Sequence, residues 1–217
     1  MEAGNLKSAG GNFRKFNGYR IVEHLALVAC FSVLAITGLP QKFYSLEISQ
    51  FIINFMGGIE SVRSVHHITA VFFIVLIAQH VLTAIVGTVF LQWEPAMLIA
   101  VKDVNAALHN VKYCLGMIER PVMCGRYNYK EKFVYWFILL GGIQMIATGL
   151  VLWFPVTAAK YLPGQFIPLS KVIHTNDAML LFLLIGVWHI YDSIFNPEVF
   201  PLDKSIFTGF KKQEDQT

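Results

Sequence analysis

Four stretches of this chain are too apolar and too long to sit in water. Between Arg63 and Glu94 lie 30 consecutive residues without Asp, Glu, Lys or Arg, and between Lys132 and Lys160 lie 27. A bilayer core about 30 Å thick is crossed by roughly 20 apolar helical residues, so each of these stretches is long enough to span it. Two more qualify: about 21–39, which closes on Pro40, and about 172–195, which ends at Asn196-Pro197 and carries Asp177 and Asp192 near its two ends. Helices are the form expected, because every backbone N–H and C=O must be satisfied inside lipid. The composition agrees: only 14% of the 217 residues are charged, against about 25% in an ordinary soluble domain. The chain reads as one all-α integral membrane domain, a four-transmembrane-helix bundle with spans near 21–39, 66–91, 133–154 and 172–195 and a tail from 196 to 217. Residues 1–7 lack the apolar core of a cleavable signal, so insertion is expected to rest on the first span.

Orientation follows from where Lys and Arg fall. Thirteen of the 17 lie in the N-terminal segment, the loop between the second and third spans, and the C-terminal tail; only Lys42, Arg63, Lys160 and Lys171 lie in the other two loops. Both termini are therefore expected on the cytoplasmic side. Within the long cytoplasmic loop, apolar Met97, Val101, Val104, Leu108, Val111 and Leu115 recur at helical spacing opposite Lys102, Asp103, Asn105 and Asn110. That pattern predicts an amphipathic helix over 96–115, lying on the membrane, against a partner or simply packed. Three cysteines, Cys30, Cys114 and Cys124, are too few and too scattered for an iron–sulfur or zinc site within the chain. No basic recognition element points to nucleic acid.

Six of the seven histidines fall in or at the edges of the spans: His24, His66, His67, His80, His174 and His189. Ionisable groups are costly in a membrane and usually serve a site. At 1.5 Å per residue, His80 lies about 21 Å deeper than His66, and His189 about 22 Å from His174. The histidines thus sort into an outer group (His66, His67, His174) and an inner group (His24, His80, His189). At about 100° per residue, His66 and His80 stay within roughly 40° of one face, and His174 and His189 within roughly 60°; His67 points away from His80. Imidazoles at two depths on facing helices suit two haems stacked across the bilayer with two histidines each, an arrangement for electron transfer because no iron position is left for substrate. By geometry the inner pair is open between His24 and His80 as partner of His189. Gly38 lies 14 residues after His24, and Gly141, Gly142 and Gly149 line the third span, where small residues admit a macrocycle. Thr37-Gly38-Leu39 and Thr148-Gly149-Leu150 echo one another, each ahead of a span with two spaced histidines.

These residues resemble the cytochrome b (gamma) subunits of respiratory formate dehydrogenases and nickel–iron hydrogenases over about 14–207. The likeness rests on His24 with Gly38, Val65-His66-His67, Gly125-Arg126-Tyr127-Asn128, Lys132, Tyr135-Trp136, Thr148-Gly149-Leu150-Val151-Leu152-Trp153, Ile173-His174 and His189-Ile190-Tyr191. The resemblance implies two haems b, His24 with His189 for the inner and His66 with His174 for the outer, with His80 and His67 as alternates. It also implies a quinone site, for menaquinone or ubiquinone, at Asn128; Tyr127, Tyr129 and Lys130 sit beside it at the start of the third span, as quinone donors or as interfacial anchors, and Arg126 suits a haem propionate or a phospholipid. The partners implied are an iron–sulfur or multihaem cytochrome c subunit and a catalytic dehydrogenase- or hydrogenase-type subunit, in a bacterial or archaeal cytoplasmic membrane. The chain departs from the pattern in adding His80 and one residue between the fourth-span histidines, and formate itself is not implied. A histidine-lined transporter or proton channel, and a haem-free anchor for a dehydrogenase, are the rival functions.

Overall fold

A computed structural model describes residues 12–93, 95–120, 127–196 and 200–212. In chain order the elements are β1 (Asn12–Arg14), α1 (Gly18–Lys42), α2 (Glu47–Phe55), α3 (Ile59–Val89), α4 (Val101–Cys114), α5 (Tyr129–Trp153), α6 (Pro155–Tyr161), α7 (Phe166–Leu183), α8 (Ser205–Thr208) and β2 (Phe210–Lys212). The helical path of α7 continues in π-helical form through Leu184–His189 and Tyr191–Phe195. Among the described residues, four helices are long and apolar enough to cross a membrane: Gly18–Lys42, Ile59–Val89, Tyr129–Trp153 and Phe166–Phe195. Their large side chains stay on the outside, Phe72 and Val89 at 62% and 65% exposure among them, a surface that lipid satisfies and water does not.

The helices outrun the apolar stretches wherever a charged turn can be capped. The first turn of α3 carries the Arg63–Glu60 pair, 2.7 Å, on an exposed surface. Asn128 caps α5: its Oδ1 accepts from Glu131 N at 2.8 Å while Glu131 Oε2 accepts from Asn128 N at 3.0 Å, a reciprocal closure of the first turn. Asn17 caps α1 through Arg20 N at 2.9 Å. Pro40 does not stop α1, which runs two residues further; proline removes one donor and crowds the preceding turn, and so close to the helix end little ladder remains to lose.

The chain forms two compact units, residues 1–76 with 175–217, and residues 77–174. In the first, α1 packs on the short helix α2, and Lys42 at the end of α1 donates to Thr175 O and Asn176 Oδ1, both at 2.9 Å. The two ends of the chain pair as an antiparallel ribbon, β1 with β2, a feature no local pattern predicts. Gly209 feeds it with φ +81°, and a Cβ there would stand 2.7 Å from Phe16 O. In the second unit α5 contacts α4 and α6.

The predicted amphipathic helix is present as α4, turned opposite to a soluble helix. Asp103 is buried, whereas Val101, Val104, Leu108, Val111 and Leu115 are exposed by half or more. Asp103 leaves the solvent face expected for it because the Lys132 ammonium donates to its Oδ2 at 2.8 Å and to Leu98 O at 3.1 Å. Trp136 Nε1 adds a bond to Met97 O at 2.9 Å. The apolar stripe is thus left for the bilayer boundary or a partner rather than for the chain's own core.

Candidate functional site

In the first unit, α1 carries His24 one and a half turns from its start, and the π-helical stretch after α7 carries His189. Their rings face each other with centres 6.1 Å apart and planes at 60°. A metal binds imidazole nitrogen at about 2 Å, so two rings sharing one metal ion have centres about 6 Å apart. The ring separation fits an iron held between His24 and His189; His24 Nδ1 is buried without a hydrogen-bond partner among the described residues.

The π winding bears on this pair. Ile190 N reaches Ile185 O and Asn196 N reaches Tyr191 O at 2.9 Å, bonds that span five residues. An α-helical advance of 100° per residue does not hold here, so the roughly 60° offset expected between His174 and His189 is not the one the chain adopts. The fourth span thus winds as π turns through His189, a form frequent at functional sites.

His80 does not stand idle: its Nε2 lies 2.8 Å from the Tyr135 hydroxyl, ring centres 5.6 Å apart. His66 Nδ1 lies 2.9 Å from Thr37 Oγ1 in the first unit, and His174 Nδ1 lies 3.0 Å from Thr148 Oγ1 in the second. His67 is the half-buried neighbour of His66. Nothing in the sequence pattern singled out either threonine as a functional residue; the echo of Thr-Gly-Leu was the available signal. Glu23, beside His24, is buried and bonded to Arg20 Nη1 at 2.6 Å, and Asp192 accepts from Asn196 Nδ2 at 3.2 Å.

Of the residues expected to meet quinone, Asn128 is the cap of α5, Tyr129 OH accepts from Asn110 Nδ2 at 3.2 Å, and Tyr127 and Lys130 are half-buried near it. With Asn128 Oδ1 committed to the cap, its amide NH2 is the part that can donate to a carbonyl. Arg126 lies outside the described residues, as does Cys124. His109 Nε2 donates to Arg120 O at 3.0 Å, a loop contact away from the spans.

Fold and histidines define a four-span membrane protein with paired and hydroxyl-tethered imidazoles inside its helices. The chain is similar in sequence to cytochrome b556 subunits of formate dehydrogenases. It is 24% identical over 169 residues to the cytochrome b556(Fdn) subunit of the nitrate-inducible formate dehydrogenase of Escherichia coli (strain K12), covering 77% of this chain and 71% of that one. The same identity holds for the Shigella flexneri protein. It is 25% identical over 176 residues to the cytochrome b556(fdo) subunit of formate dehydrogenase of Escherichia coli (strain K12), covering 80% and 74%. No family model matches the chain.

Proposed function

We propose that this chain, as one membrane domain, is the dihaem b-type cytochrome subunit of a respiratory oxidoreductase, passing electrons between a partner redox subunit and the quinone pool of a bacterial or archaeal cytoplasmic membrane. The observation that carries the reading is the His24–His189 pair, at the separation an iron between them requires, in a chain whose relatives are cytochrome b556 subunits. Its ligand set is His24 with His189 for the inner haem and His66 with His174 for the outer, with Arg126 toward a propionate. Haem so bound supplies a one-electron couple whose iron takes no substrate. The protein's part is to hold the imidazoles, exclude water from them, and keep their second nitrogens in fixed hydrogen bonds.

The partners proposed are an iron–sulfur or multihaem cytochrome subunit with a catalytic dehydrogenase- or hydrogenase-type subunit; the relatives act in formate dehydrogenases, and the substrate of this chain's complex is left open by its own residues. Both termini and α4 are assigned to the cytoplasm by the distribution of Lys and Arg. Pyridine haemochrome analysis of the purified subunit is expected to give about two haems b per polypeptide; a value near zero overturns the proposal.

Quinone is assigned to Asn128, with Tyr127, Tyr129 and Lys130 around it. The capping bond allows a sharper test than removal of the side chain. Aspartate caps as well as asparagine but carries no NH2, so Asn128→Asp is expected to keep haem content and thermal stability while slowing turnover with a soluble quinone analogue about tenfold or more. Asn128→Ala loses cap and donor together and should in addition cost about 1 kcal/mol of stability. If Asn128→Asp turns over quinone as the wild type does, the amide is a cap and nothing else.

A further inference from the structure

We infer that Thr37 and Thr148 are positioning residues for haem iron, each holding one histidine in the tautomer and ring plane that ligation needs; this rests on the cytochrome reading above. Thr37 Oγ1 donates its one proton to Val33 O, 2.7 Å, a turn back on α1. Thr148 Oγ1 does the same to Gln144 O at 2.8 Å on α5. With the proton committed, each oxygen faces its histidine only as an acceptor. His66 and His174 therefore donate from Nδ1, and the lone pair of each ring resides on Nε2, the nitrogen that would bind iron. A hydroxyl already donating to a carbonyl is also polarised into a better acceptor.

The cradle has a second wall, the glycine that follows each threonine. A Cβ at Gly38 would stand 3.3 Å from His66 Cε1, and one at Gly149 would stand 3.1 Å from His174 Cε1. Each ring edge thus rests on bare backbone while its nitrogen is tied one residue earlier. Thr37 is fully buried and Thr148 is 9% exposed, so water does not readily substitute for either hydroxyl. The arrangement arises twice, from helix pairs in separate units with no residue in common, at distances that agree to within 0.2 Å. A threonine that merely back-bonds its own helix has no reason to meet a histidine both times. The inner pair provides the contrast, since His24 Nδ1 has no such acceptor among the described residues.

An acceptor at Nδ1 raises the basicity of the ligating nitrogen and favours ferric over ferrous iron. Valine keeps the shape of threonine and removes the hydroxyl, whereas serine keeps the hydroxyl. In the solubilised full-length cytochrome, followed optically through a redox titration, Thr37→Val with Thr148→Val is expected to weaken ferric stabilisation at one haem about tenfold, which for a one-electron couple raises its midpoint by about 59 mV. The other haem should keep its midpoint, and Thr37→Ser with Thr148→Ser should keep both. Loss of one haem in the valine pair alongside retention in the serine pair supports the same role. Unchanged midpoints and haem content in the valine pair, or equal changes in the serine pair, overturn it. A wild-type protein without haem would instead overturn the cytochrome reading, so the two failures are told apart before any variant is made.

Discussion

Replacing His24 by Ala is expected to halve the haem content, from about two per chain to about one, and to leave the remaining haem low-spin. His24 is the one histidine of α1, and it is the ring that meets His189 at 6.1 Å. Alanine leaves one axial position without a protein ligand, and an iron held from one side either dissociates or becomes high-spin. The companion variant is His80→Ala. His80 sits at the depth the sequence assigns to the same haem, yet its Nε2 is within hydrogen-bond distance of the Tyr135 hydroxyl, at 2.8 Å. Its removal should cost about 1 kcal/mol, the ordinary value of one such bond, and should spare both haems. Pyridine haemochrome content with low-temperature spectra decides between them. A haem kept without His24 and lost without His80 would reverse the ligand assignment.

The spans were legible because their signal is one of length: 30 residues without charge admit few alternatives to a crossing. Their ends were not, because helix boundaries answer to capping rather than hydropathy. Tyr129 opens α5 four residues before the apolar run, since Asn128 and Glu131 close its first turn. The short helices lay below the reach of a span search, although each carried a mark. Ile48, Phe51, Ile52 and Phe55 repeat at helical spacing in α2, and Pro155 occupies the first turn of α6, where its missing N–H costs nothing. The terminal ribbon pairs residues nearly 200 positions apart, beyond any local pattern.

Histidine depth came directly from residue counts, and histidine identity did not. The proposed choice of His24 over His80 rests on the ring that His24 meets, His189 at 6.1 Å, and on the bond of His80 to the Tyr135 hydroxyl, neither of which a residue count shows. The π winding of the fourth span around His189 shows only in the backbone. Similarly, Thr37 and Thr148 appeared as an echo of three residues and gained meaning only with their hydroxyl directions. Those directions also bear on the rival reading of a proton path. A relay needs rings that exchange tautomers, whereas the threonine carbonyl bonds hold His66 and His174 in one.

Lys132→Met is expected to release α4 from α5. The Lys132 and Asp103 side chains are 6% and 11% exposed and 2.8 Å apart, and removing one partner of a buried pair costs about 3–5 kcal/mol because the other charge is left without compensation. The Lys132 ammonium, with the Ala100 amide behind it, holds the Asp103 carboxyl below the usual carboxylate range. A carboxyl lowered on folding stabilises fully above its unfolded value of about 3.9 and ceases to do so only as pH falls through the lower folded value. In the wild type α4 should therefore stay docked down to about pH 4 and loosen in stronger acid. In Lys132→Met, hydrogen exchange of the α4 amides is expected to accelerate by two to three orders of magnitude, about 100- to 1000-fold, at neutral pH, and adding Asp103→Asn should recover much of the protection by removing the stranded charge. Because Asn110 of α4 bonds Tyr129 at the opening of α5, quinone turnover should fall with α4 protection and recover with it. Unchanged exchange in Lys132→Met would mean that Trp136, through Met97 O, holds α4 in place without the ion pair.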